Sequence, residues 1–202
     1  ILVATDDVRI RDAVRTLGVE TVMTRSDHPS GTDRVAEAVS SHEADTVINI
    51  QGDEPLIDPD LIDRLAEVMS ADSGWDMATA AVPITEEKDL HAPSVVKVVC
   101  DESGRALYFS RSLIPFVRDN DLPAGTVIHR RHVGIYAYTR GFLGKLVSTP
   151  QCLLEKAEKL EQLRALHIGG RIAVVDAAGT GIGVDTPDDV KYVESLIRAR
   201  QK

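Results

Sequence analysis

The sequence predicts a three-layer α/β fold in which helices cover both faces of a mostly parallel sheet. Over the first 83 residues, short segments rich in Val and Ile alternate with amphipathic segments in the order βαβαβαβ. With right-handed connections, this alternation is typical of a parallel sheet. A chain of 202 residues can bury one sizeable core, so we expect a single domain over residues 1–202.

The first two strands are predicted at Ile1–Thr5 and Val19–Thr24. Between them, Asp6 or Asp7 can cap a helix that ends before Gly18. The second strand is followed by an unusually polar loop, RSDHPSGTDR. We expect the next helix to begin near Thr32 or Asp33, within the last residues of this loop.

Gly31 therefore lies at a helix N-terminus, where unpaired backbone N–H groups can bind an anion. Its missing side chain lets another group approach the backbone. Arg34 is unexpected in the first turn because the helix dipole disfavours cations there. An anionic or polar ligand would explain Arg34. A simple Ser or Thr cap, with Arg34 directed to water, explains it equally well.

The third strand begins at Thr46 and ends in the sequence QGDEP, residues 51–55. Ligands of open α/β sheets bind beyond the carboxyl ends of strands, which is where Gln51, Asp53 and Glu54 lie. Two acidic side chains there favour a cation. The alternative is a local turn in which Asp53 bonds to nearby backbone and Glu54 is solvated.

The pattern changes after a fourth strand at Asp76–Pro83. Two strands, at Ser94–Cys100 and Arg105–Phe109, are joined by the turn sequence DESG, and a long strand is predicted at His129–Thr139. Hairpins do not belong to a repeating βαβ unit. Residues 94–140 are therefore predicted to form a smaller inserted hairpin or mixed-sheet subdomain that could select a second substrate.

Two later helices are predicted from apolar residues at helical spacing. The helix after Asp58 has an inward face made of Leu61, Ile62, Leu65 and Met69. The other is predicted as one continuous helix, Gln151–His167, with its apolar positions at Leu153, Leu154, Ala157, Leu160, Leu163 and Leu166.

The final strand, Arg171–Asp176, leads through a glycine-rich loop to a last helix at Asp188–Arg200. Thr186 and Pro187 suit the start of that helix. Asp185 precedes the cap and is not explained by helix initiation. It is therefore the expected partner of Asp53 across the edge of the sheet.

Arg111, His132 and Tyr136 lie in segments that concentrate cations, His and Tyr within a chain of net charge −9. This concentration indicates a pocket for an acid. The alternative is structural: Arg111 would only satisfy backbone carbonyls, and His132 would be a buried neutral imidazole.

Composition excludes several other classes of protein. The chain has 23 Lys and Arg against 32 Asp and Glu and no basic cluster, so binding to nucleic acid is not expected. No apolar run approaches the roughly 20 residues that span a bilayer. Cys100 and Cys152 have no metal-binding spacing and are typical of reduced thiols, which indicates a cytoplasmic protein.

Seven segments, in chain order, carry a more specific signal: TRSDHPSGTDRVAE, NIQGDEPLI, VKVV with YFSRSLIPF, RHVGIYAY, LEKAEKLEQLRAL and GVDTPDDV. Together they resemble the CMP-Kdo synthetases, cytidylyltransferases that activate 3-deoxy-manno-octulosonate (Kdo). QGDEP alone also fits related nucleotidyltransferases, whereas the later segments are similar to the Kdo enzymes. The resemblance implies a Rossmann-like nucleotidyltransferase sheet. It also implies transfer of CMP from CTP to Kdo, which releases pyrophosphate and serves lipopolysaccharide or capsule synthesis.

The resemblance also implies roles for individual residues. It places Mg²⁺ on Asp53 and Asp185, which with Arg111 are expected to take part in catalysis. It places the nucleotide near Gly31, Arg34 and Gln51. It places Kdo near Arg111, His132, Tyr136, Glu161 and Gln162. A homodimer is expected as well, with residues 94–140 binding the acceptor or the second subunit.

Such enzymes begin with a strand and a phosphate-binding loop that are not among these 202 residues. We therefore expect a βα unit of roughly 30 residues or more before Ile1, and little turnover without it. Two other functions stay open. One is a cytidylyltransferase for another acidic sugar such as sialic acid, and the other is a nucleotide-sugar binding module without catalysis.

Overall fold

The computed structural model describes residues 1–71, 74–119, 121–123, 125–179, 181, 183–184 and 186–200. Its strands are β1 (Leu2–Thr5), β2 (Glu20–Met23), β3 (Thr46–Asn49), β4 (Met77–Pro83), β5 (Lys97–Cys100), β6 (Ala106–Ser110), β7 (Arg130–Thr139) and β8 (Ile172–Asp176). Its helices are α1 (Val8–Arg15), α2 (Gly31–Ala38), α3 (Pro59–Ser70), α4 (Glu87–His91), α5 (Arg140–Ser148), α6 (Leu153–Glu158), α7 (Gln162–His167) and α8 (Pro187–Arg200).

The larger sheet is organised around β7, whose ten residues pair on both edges. One edge pairs antiparallel with β4. The other edge pairs antiparallel with β5 near the start of β7 and with β3 near its end. β4 pairs in parallel with β8, and β5 pairs with β6 as a hairpin. β1 and β2 form a separate parallel pair.

Most strands of the larger sheet run in one direction, as the sequence predicts. β3, β4, β5 and β8 share a direction, whereas β6 and β7 are reversed. The structure differs from the prediction in two ways. β3 and β4 are not neighbours, because β7 lies between them, and β1 and β2 pair with each other outside the larger sheet. Residues 130–139 are thus both the last strand of the predicted subdomain and the central strand of the main sheet.

Helices lie on both faces of this sheet, which confirms the predicted three layers. Alternate residues of β4 point to opposite faces, so Met77 and Ala81 pack with α5 and α7, while Ala78 and Ala80 pack with α3. The predicted inward face of α3 is confirmed, since Leu61, Leu65 and Met69 are buried. Each face therefore has its own apolar cluster.

The predicted helix at residues 151–167 is divided into α6 and α7. Lys159 ends α6 in the left-handed region, with φ 55° and ψ 45°. The break changes which side chains face inward, because Leu153 is 84% exposed whereas Leu163 is 1% exposed. Apolar spacing alone does not show such a break, because it continues across the turn.

Replacing Leu65 by Ala tests the cluster beneath α3. Leu65 is 0% exposed, and removing a buried leucine side chain costs about 2–5 kcal/mol of unfolding free energy. Leu153→Ala deletes the same atoms from an exposed helical position and should change stability by less than about 0.5 kcal/mol. Urea unfolding of the two variants measures the difference. Equal losses would contradict the assignment of Leu65 to the core.

Candidate functional site

The loop after β3 meets the middle of β7 at a cleft. The residues that line this cleft come from these two segments: Ile50, Gln51, Glu54 and Ile57 from the loop, and Val133, Gly134 and Ile135 from β7. The N-terminus of α2 approaches the same loop, since a Cβ on Gly31 would lie 3.6 Å from Oε1 of Gln51. Two residues predicted to bind the nucleotide, Gly31 and Gln51, are therefore adjacent.

Ser30 is the N-cap of α2, and its hydroxyl oxygen accepts from the backbone N–H of Asp33 at 3.3 Å. Arg34, in the first turn, points neither to water nor to an open anion site. Its Nη1 donates to Oγ1 of Thr24 at 2.6 Å and lies 3.1 Å from the carboxylate of Asp6. Asp6 offsets the unfavourable helix dipole. The nucleotide-binding role of Arg34 stays a prediction.

Asp53 lies in the turn that follows β3, and its side chain is exposed. The glycine-rich segment before α8 docks on this turn, because Val184 donates its backbone N–H to the carbonyl of Asp53 at 2.8 Å. Gly181 has φ 74°, and a Cβ there would lie 2.6 Å from Oε2 of Glu54. The positive φ favours glycine at this position. Asp185, the predicted metal partner of Asp53, lies outside the described residues.

His132 and Tyr136 form an aromatic pair because β7 contains a bulge. Thr79 of β4 pairs with Tyr136 and the next residue, Ala80, pairs with Val133, so one step on β4 matches three steps on β7. Residues four apart in a regular strand are separated by about 13 Å. The ring centroids of His132 and Tyr136 are only 5.4 Å apart. The bulge thus brings two predicted substrate-binding side chains together.

Both rings are held in their neutral forms. Burial lowers the pKa of His132 to about 3, so its imidazole is uncharged at physiological pH. Burial also raises the pKa of Tyr136 well above the ordinary value, so its phenol keeps its proton. His132 therefore contributes hydrogen bonding to the predicted acid pocket, but not positive charge.

Gln162 and Glu161 begin α7 next to these rings. The Tyr136 hydroxyl donates to Oε1 of Gln162 at 3.3 Å, which orients the amide. Gln162 is 3% exposed, and its Nε2 has no hydrogen-bond partner among the residues that the structure describes. A buried donor without a partner costs free energy, so this amide is available to a ligand that accepts a hydrogen bond.

Thr32 connects this group to the nucleotide loop. Burial raises the pKa of Glu161, and hydrogen bonding from Thr32 and the charge of Arg164 oppose the rise. The same threonine hydrogen-bonds to Tyr138 and opposes the rise in the pKa of that phenol. The residues predicted to bind the nucleotide and those predicted to bind the acceptor therefore meet at Thr32.

Arg111, at the end of β6, is held by backbone carbonyls. Its Nε donates to the carbonyl of Glu158 at 2.7 Å, and its Nη1 donates to the carbonyl of Pro93 at 2.9 Å. The Glu158 carboxylate accepts from the backbone N–H of Arg111 at 2.9 Å, and buried Lys97 donates to the Arg111 carbonyl at 2.9 Å. These contacts are the ones expected from the structural alternative, in which Arg111 satisfies backbone carbonyls. They fix the guanidinium in place, and its role toward Kdo stays a prediction.

Three polar residues of the site were not predicted: Thr79, Lys97 and Glu158. Thr79 and Lys97 had a signal in the sequence, because each is the only polar side chain of its strand, MATAAVP or KVVC. Such a residue inside a buried strand must find a partner. Glu158 had no signal, since acidic residues are common on exposed helix faces.

The described part of the chain contains no group of three or more His, Cys, Asp and Glu side chains that could hold a metal ion. Mg²⁺ usually needs only one or two carboxylates, because waters and phosphate oxygens complete its coordination. The exposed carboxylate of Asp53 fits that requirement. No described helix is both long and apolar enough to cross a membrane.

Comparisons with known proteins agree with this geometry. A sequence profile of the family described as Cytidylyltransferase matches residues 1–172. A 3-deoxy-manno-octulosonate cytidylyltransferase from Trichlorobacter lovleyi is 47% identical over 204 residues, 98% of this chain and 81% of the relative. One from Pseudomonas fluorescens SBW25 is 50% identical over 210 residues, 98% of this chain and 82% of the relative.

Two solved structures are similar to this chain. One described as CMP:2-keto-3-deoxy-manno-octonic acid synthetase complexed with CTP has a TM-score of 0.91 at 43% identity and covers 98% of this chain and 80% of its own. A 4-diphosphocytidyl-2C-methyl-D-erythritol synthase from Anaerococcus prevotii has a TM-score of 0.59 at 12% identity, covering 96% and 77% of the two chains. The second likeness shows the fold alone. The predicted fold class is confirmed.

The left-handed residue that precedes Glu161 can be tested by substitution. A Cβ at φ 55° is unfavourable by about 1–2 kcal/mol, and glycine avoids this cost while losing more entropy on folding. Lys159→Gly should therefore be about 0.5–1 kcal/mol more stable than Lys159→Ala, which keeps the Cβ. Urea denaturation compares them. A less stable glycine variant would contradict the strained turn.

Proposed function

Because this chain belongs to the cytidylyltransferase family, we propose that it transfers CMP from CTP to Kdo, with release of pyrophosphate. The observation that carries the proposal is the likeness, over nearly the whole chain, to proteins named for this reaction. The geometry supports it, because Gly31 and Gln51 of the proposed nucleotide site are adjacent. The next residue, Thr32, hydrogen-bonds to Glu161 and Tyr138 beside the proposed acceptor site. The product would serve lipopolysaccharide or capsule synthesis in the cytoplasm.

The nucleotide is proposed to lie along the N-terminus of α2 and the loop after β3. Free N–H groups at the start of a helix favour phosphate oxygens, and Gly31 leaves the backbone there accessible. Gln51, which faces Gly31, offers an amide that can donate and accept. Arg34 connects the start of α2 to Asp6 and Thr24, which follow β1 and β2.

The acceptor sugar is proposed to lie against His132, Tyr136, Glu161 and Gln162. Gln162 supplies a buried amide donor whose orientation the Tyr136 hydroxyl fixes. Glu161 adds a carboxyl group whose pKa burial raises. Arg111 has the planar guanidinium that suits a carboxylate. Its backbone contacts would hold it rigidly for that purpose.

We propose that Mg²⁺ is held by Asp53 and Asp185. When bound, this metal would neutralise phosphate charge and help to activate the attacking oxygen. The support from the structure is indirect. The Asp53 turn is bonded to Val184, which directly precedes Asp185 in the chain.

The proposal predicts that the full-length protein releases pyrophosphate from CTP only when both Mg²⁺ and Kdo are present. A coupled pyrophosphate assay with Kdo, with sialic acid and without acceptor measures this. Turnover should be highest with Kdo. Equal rates with sialic acid would defeat the Kdo assignment, and CTP binding without turnover under any condition would favour a non-catalytic module.

In the same assay, Asp53→Asn should lower turnover by at least a hundredfold, because an amide binds Mg²⁺ far more weakly than a carboxylate. The matched control is Asp63→Asn, an exposed aspartate of α3, which should behave like wild type. Circular dichroism checks that both variants are folded. Wild-type turnover in Asp53→Asn would remove this residue from the metal site.

We also propose a homodimer, on the family resemblance alone. Sedimentation velocity at micromolar concentration should give a mass near twice the 22.0 kDa of the chain. A monomer at that concentration would end this proposal and leave the reaction untouched.

A further inference from the structure

Thr79 is a fully buried hydroxyl residue, 0% exposed, at the bulge between β4 and β7. Its Oγ1 lies 2.8 Å from the carbonyl oxygen of Ile135 and 3.2 Å from that of Val133. It also lies 2.9 Å from Nε2 of His132. One hydroxyl thus serves both the irregular backbone of the bulge and a side chain of the proposed acceptor site.

The direction of these bonds follows from counting protons. A threonine hydroxyl has one proton to donate and can accept through its lone pairs, whereas a carbonyl oxygen can only accept. The proton of Thr79 is therefore directed to the Ile135 carbonyl and shared with Val133. The bond to His132 must then run the other way, with Nε2–H donating to Oγ1.

The opposite arrangement is unfavourable. If Thr79 donated to His132, the two carbonyls of the bulge would lose this donor in a buried position, and an unsatisfied buried polar group costs free energy. A doubly protonated ring is also disfavoured, because burial lowers the pKa of His132 to about 3. The ring therefore carries one proton, on Nε2.

We propose that Thr79 is a positioning residue that holds His132 as the Nε2–H tautomer and presents Nδ1 as a hydrogen-bond acceptor for a hydroxyl group of the acceptor sugar. This inference rests on the proposed function for the identity of the sugar. Phe109 packs edge-on against the ring at 5.2 Å and Tyr136 lies at 5.4 Å, so its orientation is fixed. Within the described residues, no hydrogen bond occupies Nδ1.

The proposal separates two kinds of recognition in one pocket. An ionised carboxylate has no proton to donate, so it cannot bond to a lone pair on Nδ1. A sugar hydroxyl can. His132 therefore binds a hydroxyl group of the acceptor sugar. The carboxylate of the sugar must be bound by other donors, such as the amide of Gln162.

The tautomer can be measured without substrate. In wild-type protein labelled with ¹⁵N-histidine, two-bond proton–nitrogen spectra should show the Nε2–H pattern for His132 from about pH 5 to pH 8. An Nδ1–H tautomer or an imidazolium in this range would overturn the proposal. This result does not depend on whether Kdo is the substrate.

Substitution of Thr79 tests the consequence for binding. Thr79→Val removes the hydroxyl with little change in volume and should raise the KM for Kdo about tenfold, the loss of one hydrogen bond, while the KM for CTP is unchanged. Thr79→Ser keeps the hydroxyl and should restore both the KM and the Nε2–H spectrum. A Kdo KM that does not change in Thr79→Val would overturn the positioning role, as would CTP and Kdo KM values that rise together. If Thr79→Val does not fold, the wild-type spectrum and the serine variant still decide the question.

Discussion

The backbone hydrogen bonds of β7 join three parts of the chain that are distant in sequence. β4 pairs along one edge, and β3 and the β5–β6 hairpin share the other. The loop after β3 carries Gln51 and Asp53, and the end of β6 carries Arg111. Because all of these segments pair directly or indirectly with β7, their site residues are held in fixed positions relative to one another.

Two irregular features of this regular frame bring the proposed acceptor-binding side chains together. The bulge in β7 brings His132 and Tyr136 together on one face. The left-handed turn at Lys159 ends α6 and lets α7 begin in a new direction, so that Gln162 lies within reach of Tyr136. A straight strand and one continuous helix would have separated these three side chains. Local departures from ideal geometry are typical of functional sites.

The sequence could predict the strands, the inward face of α3 and the loop after β3, because each depends on local spacing or composition. It could not predict that β7 lies between β3 and β4, because strand pairing is a long-range property. The partners of Arg34 were missed for the same reason, since Asp6 and Thr24 are distant in sequence. The predicted Mg²⁺ pair stays a prediction, because Asp185 lies outside the described residues.

Charge in this site is largely committed to internal partners. Lys97 is 0% exposed, and burial lowers the pKa of its ammonium group, which donates to two backbone carbonyls. Arg111 also donates two hydrogen bonds to backbone carbonyls, and Arg34 is paired with Asp6. In these residues, whose net charge is −9, there is no general excess of positive charge to attract the two proposed anionic substrates. The proposed Mg²⁺, the backbone N–H groups at the start of α2, the fixed guanidinium of Arg111 and neutral donors would then recognise them. Such groups cost little reorganisation on binding, which explains why so much of the site consists of uncharged polar side chains with defined hydrogen-bond directions.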